Sequence, residues 1–105
     1  MDRYRKSSEW LERAEAVIPT GSQTFSKSKY SFPLGAAPLF AERAQGCLIE
    51  DLDGHEYIDL VNSLLAVSLG YQDADVDARV IAQLHRGVTL SLPLALETEL
   101  AEKLI

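Results

Sequence analysis

The chain is short of the residues that would build several kinds of protein. It has a single cysteine, Cys47, among 105 residues, so no internal disulfide framework of the kind that staples small secreted domains can form. Cys47 lies in an apolar run and reads as a small core residue rather than a nucleophile. The two histidines, His55 and His85, are far apart in sequence, with no second ligand at a recognised spacing, so no metal site is expected. Basic residues are few: 10 Lys and Arg against 16 Asp and Glu leave a formal charge of −6. Nucleic-acid binding needs a basic stripe that displaces counterions. Arg3, Arg5 and Lys6, with Lys27 and Lys29 further on, form only small clusters, and no nucleic-acid partner is expected. Long hydrophobic runs are also missing. The longest weakly polar stretch, Leu60 to Leu69, is far short of a membrane span, and the polar start Met1-Asp2-Arg3-Tyr4 leads into no signal-peptide core. These absences make a cytoplasmic protein without a membrane partner the expectation.

What is present is ordinary globular material, 47% hydrophobic and 25% charged, enough for one core and therefore one domain. Trp10, Leu11, Ala14, Val17 and Ile18 recur at three- and four-residue spacing and predict a helix over about 8–17. Ser7 or Ser8 can cap it, and Pro19 with Gly21 ends it. From Gly21 to Gly35 the periodicity is lost, and single aromatics (Phe25, Tyr30, Phe32) punctuate a polar loop. A loop of that length is more often functional than connective.

Leu39 to Asp59 reads as β structure, a three-stranded antiparallel meander: strands near Leu39–Glu42, Cys47–Asp51 and Glu56–Leu60, with turns at Gln45-Gly46 and Asp53-Gly54. A two-residue turn at Asp53-Gly54 would set Ile49 opposite Ile58, Cys47 opposite Leu60 and Asp51 opposite Glu56. Asn62 to Gly70 is apolar without helical or strand alternation. A second helix is predicted over about 74–86, with Val76, Val80, Ile81 and Leu84 on one face, acidic residues at its start and His85-Arg86-Gly87 at its end. Pro93 can open a third, on which Leu96, Leu100 and Leu104 share a face. That helical pattern is still running at Ile105, which suggests an interrupted rather than a finished sequence. The fold class expected is α+β: a helix, a long loop, the meander, then two helices.

One local pattern carries a chemical alternative. Asp51-Leu52-Asp53-Gly54 has the paired aspartates of haloacid-dehalogenase-like phosphatases, nucleophile and general acid two residues apart. Glu50 before the pair and His55 after Gly54 depart from that motif, and a hairpin turn is the reading preferred.

The order of elements points elsewhere. A helix ending in Ile18-Pro19-Thr20-Gly21 leads to the loop Ser22-Gln23-Thr24-Phe25-Ser26-Lys27. Then come Pro38-Leu39-Phe40, Ala44-Gln45-Gly46, Asp51-Leu52-Asp53-Gly54-His55-Glu56-Tyr57-Ile58-Asp59 and Leu69-Gly70. In order and spacing, over nearly the whole chain, this resembles the N-terminal region of class III aminotransferases, especially the glutamate-1-semialdehyde aminomutase branch. The Asp53-Gly54 to Tyr57-Ile58-Asp59 block is the most specific part.

The resemblance implies the N-terminal part of a fold-type I enzyme, usually a homodimer. Residues 1–105 would supply part of the small domain and the start of the large one, with no complete catalytic domain. Such an enzyme, a transaminase or an aminomutase-like enzyme, uses pyridoxal phosphate to transfer an amino group via a Schiff base, with a small-molecule amino donor and a carbonyl acceptor as partners. The family's Schiff-base lysine, the acidic partner of the pyridinium nitrogen and the phosphate-binding helix N-terminus all lie beyond position 105. None of Lys6, Lys27, Lys29 or Lys103 stands in that context, so no catalytic or cofactor-binding residue is expected here, and the segment alone should be inactive.

Substrate-site positions do fall inside it. Thr24 and Lys27 match the loop Ser and Arg that bind substrate in the aminomutases. Asn62-Ser63-Leu64 matches Gly-Ser-Trp, which places Ser63 and Leu64 at the pocket, and Tyr71-Gln72-Asp73-Ala74 stands where the family has His-Ala-His-Pro. Lysine offers a point charge rather than a bidentate fork, and Leu64 removes an aromatic wall, so these departures point away from the standard aminomutase substrate. The reading from a different class is a stand-alone dimerising or interaction module, whose uncovered apolar faces bind a partner.

Overall fold

A computed structural model describes residues 3–105, and no helix in it is long and apolar enough to cross a membrane. The order is α1 (Arg5–Glu15), three short 3-10 turns (Pro19–Gly21, Phe25–Lys27, Lys29–Ser31), β1 (Ala41–Gln45), β2 (Leu48–Asp51), β3 (Glu56–Ile58), a one-turn segment α2 (Asn62–Leu65), α3 (Ala74–Arg86) and α4 (Ala95–Leu104). The α+β class is as expected. Contacts gather into two units, Met1–Gln72 and Asp73–Ile105.

In the first unit, α1 starts earlier than its Trp10–Ile18 stripe suggests, and neither Ser7 nor Ser8 caps it. The buried stripe is Tyr4, Ser7 and Ala14, with Leu11 half-buried between them. Tyr4 and Ala14 are 6% and 8% exposed, whereas Trp10 is 44% exposed under the Arg13 guanidinium, 4.1 Å from its ring centroid. The helix thus turns its heptad-like 4–7–11–14 face inward, and its one tryptophan lies outside that face.

The sheet runs β1-β2-β3, antiparallel throughout. The Gln45-to-Leu48 turn has Gly46 at φ +56 in its first central position, as a type II′ hairpin requires. Cys47 is consequently an exposed turn residue, not a core residue. The register slips between Ala41 and Arg43, which bulges β1 at Glu42.

The second hairpin is one residue out of the predicted register: Leu48 faces Ile58, Ile49 faces Tyr57 and Glu50 faces Glu56. The cause is a three-residue loop, Leu52-Asp53-Gly54, closed by Asp51 N–H to the His55 carbonyl at 3.0 Å with Gly54 at φ +87. A turn residue in the left-handed region closes such a loop where a two-residue turn was expected, and the one-residue slip exchanges the faces of the side chains. The like-charge Glu50–Glu56 pair is relieved from β1, where Arg43 Nε and Nη2 donate to Glu50 Oε2 at 2.8 and 2.6 Å.

In the second unit, Asp73 caps α3 by accepting from the Val76 N–H at 3.0 Å, and Gly87 (φ +102) ends it. Ahead of α4, the Leu94 N–H donates to Glu97 Oε1 at 2.9 Å, so Pro93 precedes the cap rather than opening the helix. The apolar stripe of α3 is uncovered, with Val76, Val80, Ile81 and Leu84 all 45–54% exposed.

Candidate functional site

Two aspartates of the hairpin tip organise the first unit. Asp51, at the end of β2, is 2% exposed. Its Oδ1 accepts from the Asp53 and His55 N–H groups at 2.9 and 2.8 Å. Its Oδ2 accepts from the Tyr57 hydroxyl at 3.0 Å and lies 3.0 Å from His55 Nδ1. Burial pushes this carboxyl up, but the bonds from His55 and Tyr57 outweigh it and hold it below the usual carboxylate range. Burial also pushes the Tyr57 phenol up, reinforced by Tyr4 and Asp51.

Asp53 reaches in the other direction. Its Oδ1 and Oδ2 accept from the Lys6 and Ser7 N–H groups at 2.9 and 3.2 Å. It is thus the cap of α1, supplied from 46–47 residues away. Both aspartates are therefore engaged in holding backbone. Asp51 has neither the access nor a free oxygen for attack, which removes the phosphatase alternative.

The second constellation closes the apolar loop after β3. Tyr71 exchanges backbone hydrogen bonds with Gly46 at 2.9 and 2.8 Å, and Asp59 N–H donates to the Cys47 carbonyl at 2.8 Å. Both ends of the loop are thus pinned to the β1–β2 turn. A Cβ on Gly70 would lie 3.0 Å from the Gly46 carbonyl oxygen, so only glycine admits this closure. Within the loop, Asn62, Ser63, Leu64 and Leu65 have φ of 53, 47, 56 and 71°. This is a left-handed turn made without glycine, costing roughly 1–2 kcal/mol per residue. Strain of this kind persists only where surrounding contacts over-determine it, and it gathers at functional sites.

Asp59 supplies those contacts. Its Oδ1 accepts from the Val61 and Asn62 N–H groups at 2.9 and 3.1 Å, and its Oδ2 from the Tyr71 hydroxyl at 2.6 Å. The Tyr71 hydroxyl also lies 3.2 Å from Ser63 Oγ. The Tyr71 bond, the largest influence, holds the Asp59 carboxyl below its usual range, and Asp59 in turn raises the Tyr71 phenol.

The four substrate-site positions named from the sequence fall on two separate segments. Thr24 and Lys27 belong to the exposed polar loop, where the Lys27 N–H donates to the Thr24 carbonyl at 3.2 Å and Thr24 Oγ1 lies 3.4 Å from Ser26 Oγ. The loop is tied back to α1 by the Lys29–Glu15 ion pair and stiffened by stacked Phe25 and Tyr30, 6.2 Å between centroids. Ser63 and Leu64 sit on the left-handed turn, Ser63 half-buried and Leu64 69% exposed. Asp59 and Tyr71 were not singled out from the sequence. The signal available was Asp59 three residues before Asn62, the spacing of an aspartate that caps a turn through backbone N–H groups.

A cofactor phosphate favours an open helix N-terminus. The three longer helices each have a carboxylate there: Asp53 on α1, Asp73 on α3, Glu97 on α4. Asp53 and Asp73 accept from first-turn N–H groups of their helices, while Glu97 accepts from the Leu94 N–H just ahead of α4.

Comparison with known proteins agrees with the architecture. The class-III aminotransferase family profile matches residues 31–105. A glutamate-1-semialdehyde 2,1-aminomutase of Tropheryma whipplei (strain Twist) is 39% identical over 98 residues, 93% of this chain and 21% of that protein. Among solved structures, an omega-transaminase from Sphaerobacter thermophilus is 35% identical with a TM-score of 0.79, covering 91% of this chain and 21% of that one. The FumI protein of Sphingopyxis sp. MTA144, solved in its PLP internal aldimine form, is 34% identical with a TM-score of 0.82, covering 93% and 23%. The chain belongs to the class-III aminotransferase family. It spans about a fifth of the length of the curated relatives it matches.

Proposed function

We propose that these residues are the N-terminal segment of a pyridoxal-phosphate-dependent aminotransferase that moves an amino group from a small-molecule donor to a carbonyl acceptor. The first unit would belong to the small domain and the second would begin the large one, in a cytoplasmic homodimer. The observation that carries the reading is the combination of a family match over 31–105 with apolar faces the chain does not cover itself. The stripe of α3 and the loop residues Leu60, Leu64, Leu65 and Leu69, each 69–90% exposed, call for burial by further protein.

In this reading the chain positions substrate and leaves cofactor chemistry to residues outside it. Lys27 presents a point charge to a substrate carboxylate, Thr24 a hydroxyl beside it, and Ser63 and Leu64 line the pocket from the left-handed turn. The absence of an arginine fork at Lys27 and of an aromatic wall at Leu64 favours a substrate other than that of the standard aminomutase.

The test is to sequence the gene past the codon for Ile105 and assay the encoded protein. A frame that runs on to a phosphate loop and a cofactor-binding lysine, with transamination whose KM rises about tenfold in Lys27→Ala, supports the proposal. A stop codon at that point overturns it. The same uncovered faces would then favour the stand-alone association module, seen as a concentration-dependent rise in mass by light scattering.

A further inference from the structure

We propose that Asp59 and Tyr71 are positioning residues: together they latch α2 in its left-handed form and so set where Ser63 and Leu64 stand. The functional half of this inference rests on the reading of Ser63 and Leu64 given above; the latch itself does not.

The argument starts from the backbone. Four successive residues with side chains hold φ between 47 and 71°; Asn62 tolerates that region as a single residue, but Ser63, Leu64 and Leu65 do not favour it and local sequence does not impose it on all four. Something outside the turn must select it. Asp59 has both carboxylate oxygens committed to the task. One gathers the N–H groups of Val61 and Asn62 at the entry of the turn, and the other takes the Tyr71 hydroxyl from beyond its exit. The same hydroxyl lies beside Ser63 Oγ in the middle of the turn.

Entry, middle and exit are thus cross-tied through one phenol oxygen. That oxygen has a fixed position because the Tyr71 backbone is paired to Gly46 on both its N–H and its carbonyl. The Asp59 backbone is likewise fixed to Cys47. The latch therefore transmits the rigid geometry of the β1–β2 turn to Ser63 and Leu64. Leu60, Val61, Leu65 and Leu69 are all exposed and offer no packing of their own to hold the turn. Within this chain, what holds it is the polar ties together with the turn's own backbone bonds, such as the Leu64 N–H to the Val61 carbonyl at 3.0 Å.

The experiment is nuclear magnetic resonance of the 105-residue chain, wild type and Tyr71→Phe, Asp59→Asn and Ser63→Ala. A positive φ brings a residue's own amide and α protons close, giving a strong intraresidue cross-peak. In the wild type, residues 62–65 should show it. In Tyr71→Phe and Asp59→Asn those four cross-peaks should weaken at least about twofold while the amide shifts of β1 and β2 stay in place. Ser63→Ala, which removes one tie of the set, should be intermediate. In the complete enzyme, Tyr71→Phe should raise the substrate KM about tenfold with kcat changed less than about twofold.

Strong cross-peaks at 62–65 in both Tyr71→Phe and Asp59→Asn would overturn the latch. So would a general loss of sheet shifts in every variant, which would make the pair merely a fold requirement. Lost cross-peaks with an unchanged KM would overturn the positioning role. A complete wild-type protein without transamination would instead overturn the functional reading, leaving the latch to be decided by the cross-peaks.

Discussion

Replacing Asp53 with alanine should unravel the first turn of α1 although the two are far apart in sequence. Asp53 accepts from the Lys6 and Ser7 N–H groups at 2.9 and 3.2 Å, the service a cap residue ordinarily provides from within its own helix. Loss of a cap costs about 1 kcal/mol, and removal of a negative charge from the positive end of the helix dipole adds roughly 0.3–1 kcal/mol. The expected loss is therefore about 1.5 kcal/mol, a little over tenfold in the local opening equilibrium.

Amide hydrogen exchange reads this directly. Protection at Lys6 and Ser7 should fall about tenfold in Asp53→Ala. In Asp53→Asn, which loses the charge and keeps only one of the two accepting oxygens, protection of the amide that keeps its acceptor should fall only about threefold. Asp75→Ala, on the exposed first turn of α3, serves as control and should leave both amides unchanged. Equal protection at Lys6 and Ser7 in wild type and Asp53→Ala would refute the assignment of Asp53 as the cap.

Three further outcomes follow from the same geometry. Asp51 has a folded-state pKa below its unfolded value, so its contribution is present above about pH 4 and is lost as pH falls through the lower folded value. Urea midpoints of wild type and Asp51→Asn should differ at pH 7 and converge toward pH 2. A gap that did not narrow would refute the charge-based account. Gly70→Ala meets both a left-handed backbone and the Gly46 carbonyl, whereas Gly54→Ala (φ +87) meets open space. The first should lose more than about 2 kcal/mol and the second about 1 kcal/mol, and equal losses would show that the close approach at Gly46 does not matter. Among the described residues, Ser7 Oγ is fully buried without a hydrogen-bond partner, so Ser7→Ala should be neutral or stabilising by up to about 1 kcal/mol. A clear destabilisation would reveal a partner for that hydroxyl.

The sequence by itself determined the class, the order of elements and the ends of α3. Those features are local: a 3.6-residue period, an aspartate before a helix and a glycine after it all act within a few residues. The family resemblance was legible for a related reason, since it lies in the spacing of short motifs along the chain.

What only the tertiary structure decided are the relations across distance. Asp53 reads as a turn residue, and nothing near it says that it caps α1. The hairpin register turned on a single residue of loop length, which apolar pairing alone misjudged. The exposed side of Trp10 and the buried one of Ser7 depend on which face of α1 meets the hairpin. The left-handed turn at 62–65 lies furthest from prediction, because beyond Asn62 no residue there favours positive φ. Its handedness is held by Asp59 and Tyr71, which meet only once Gly46 and Tyr71 have paired.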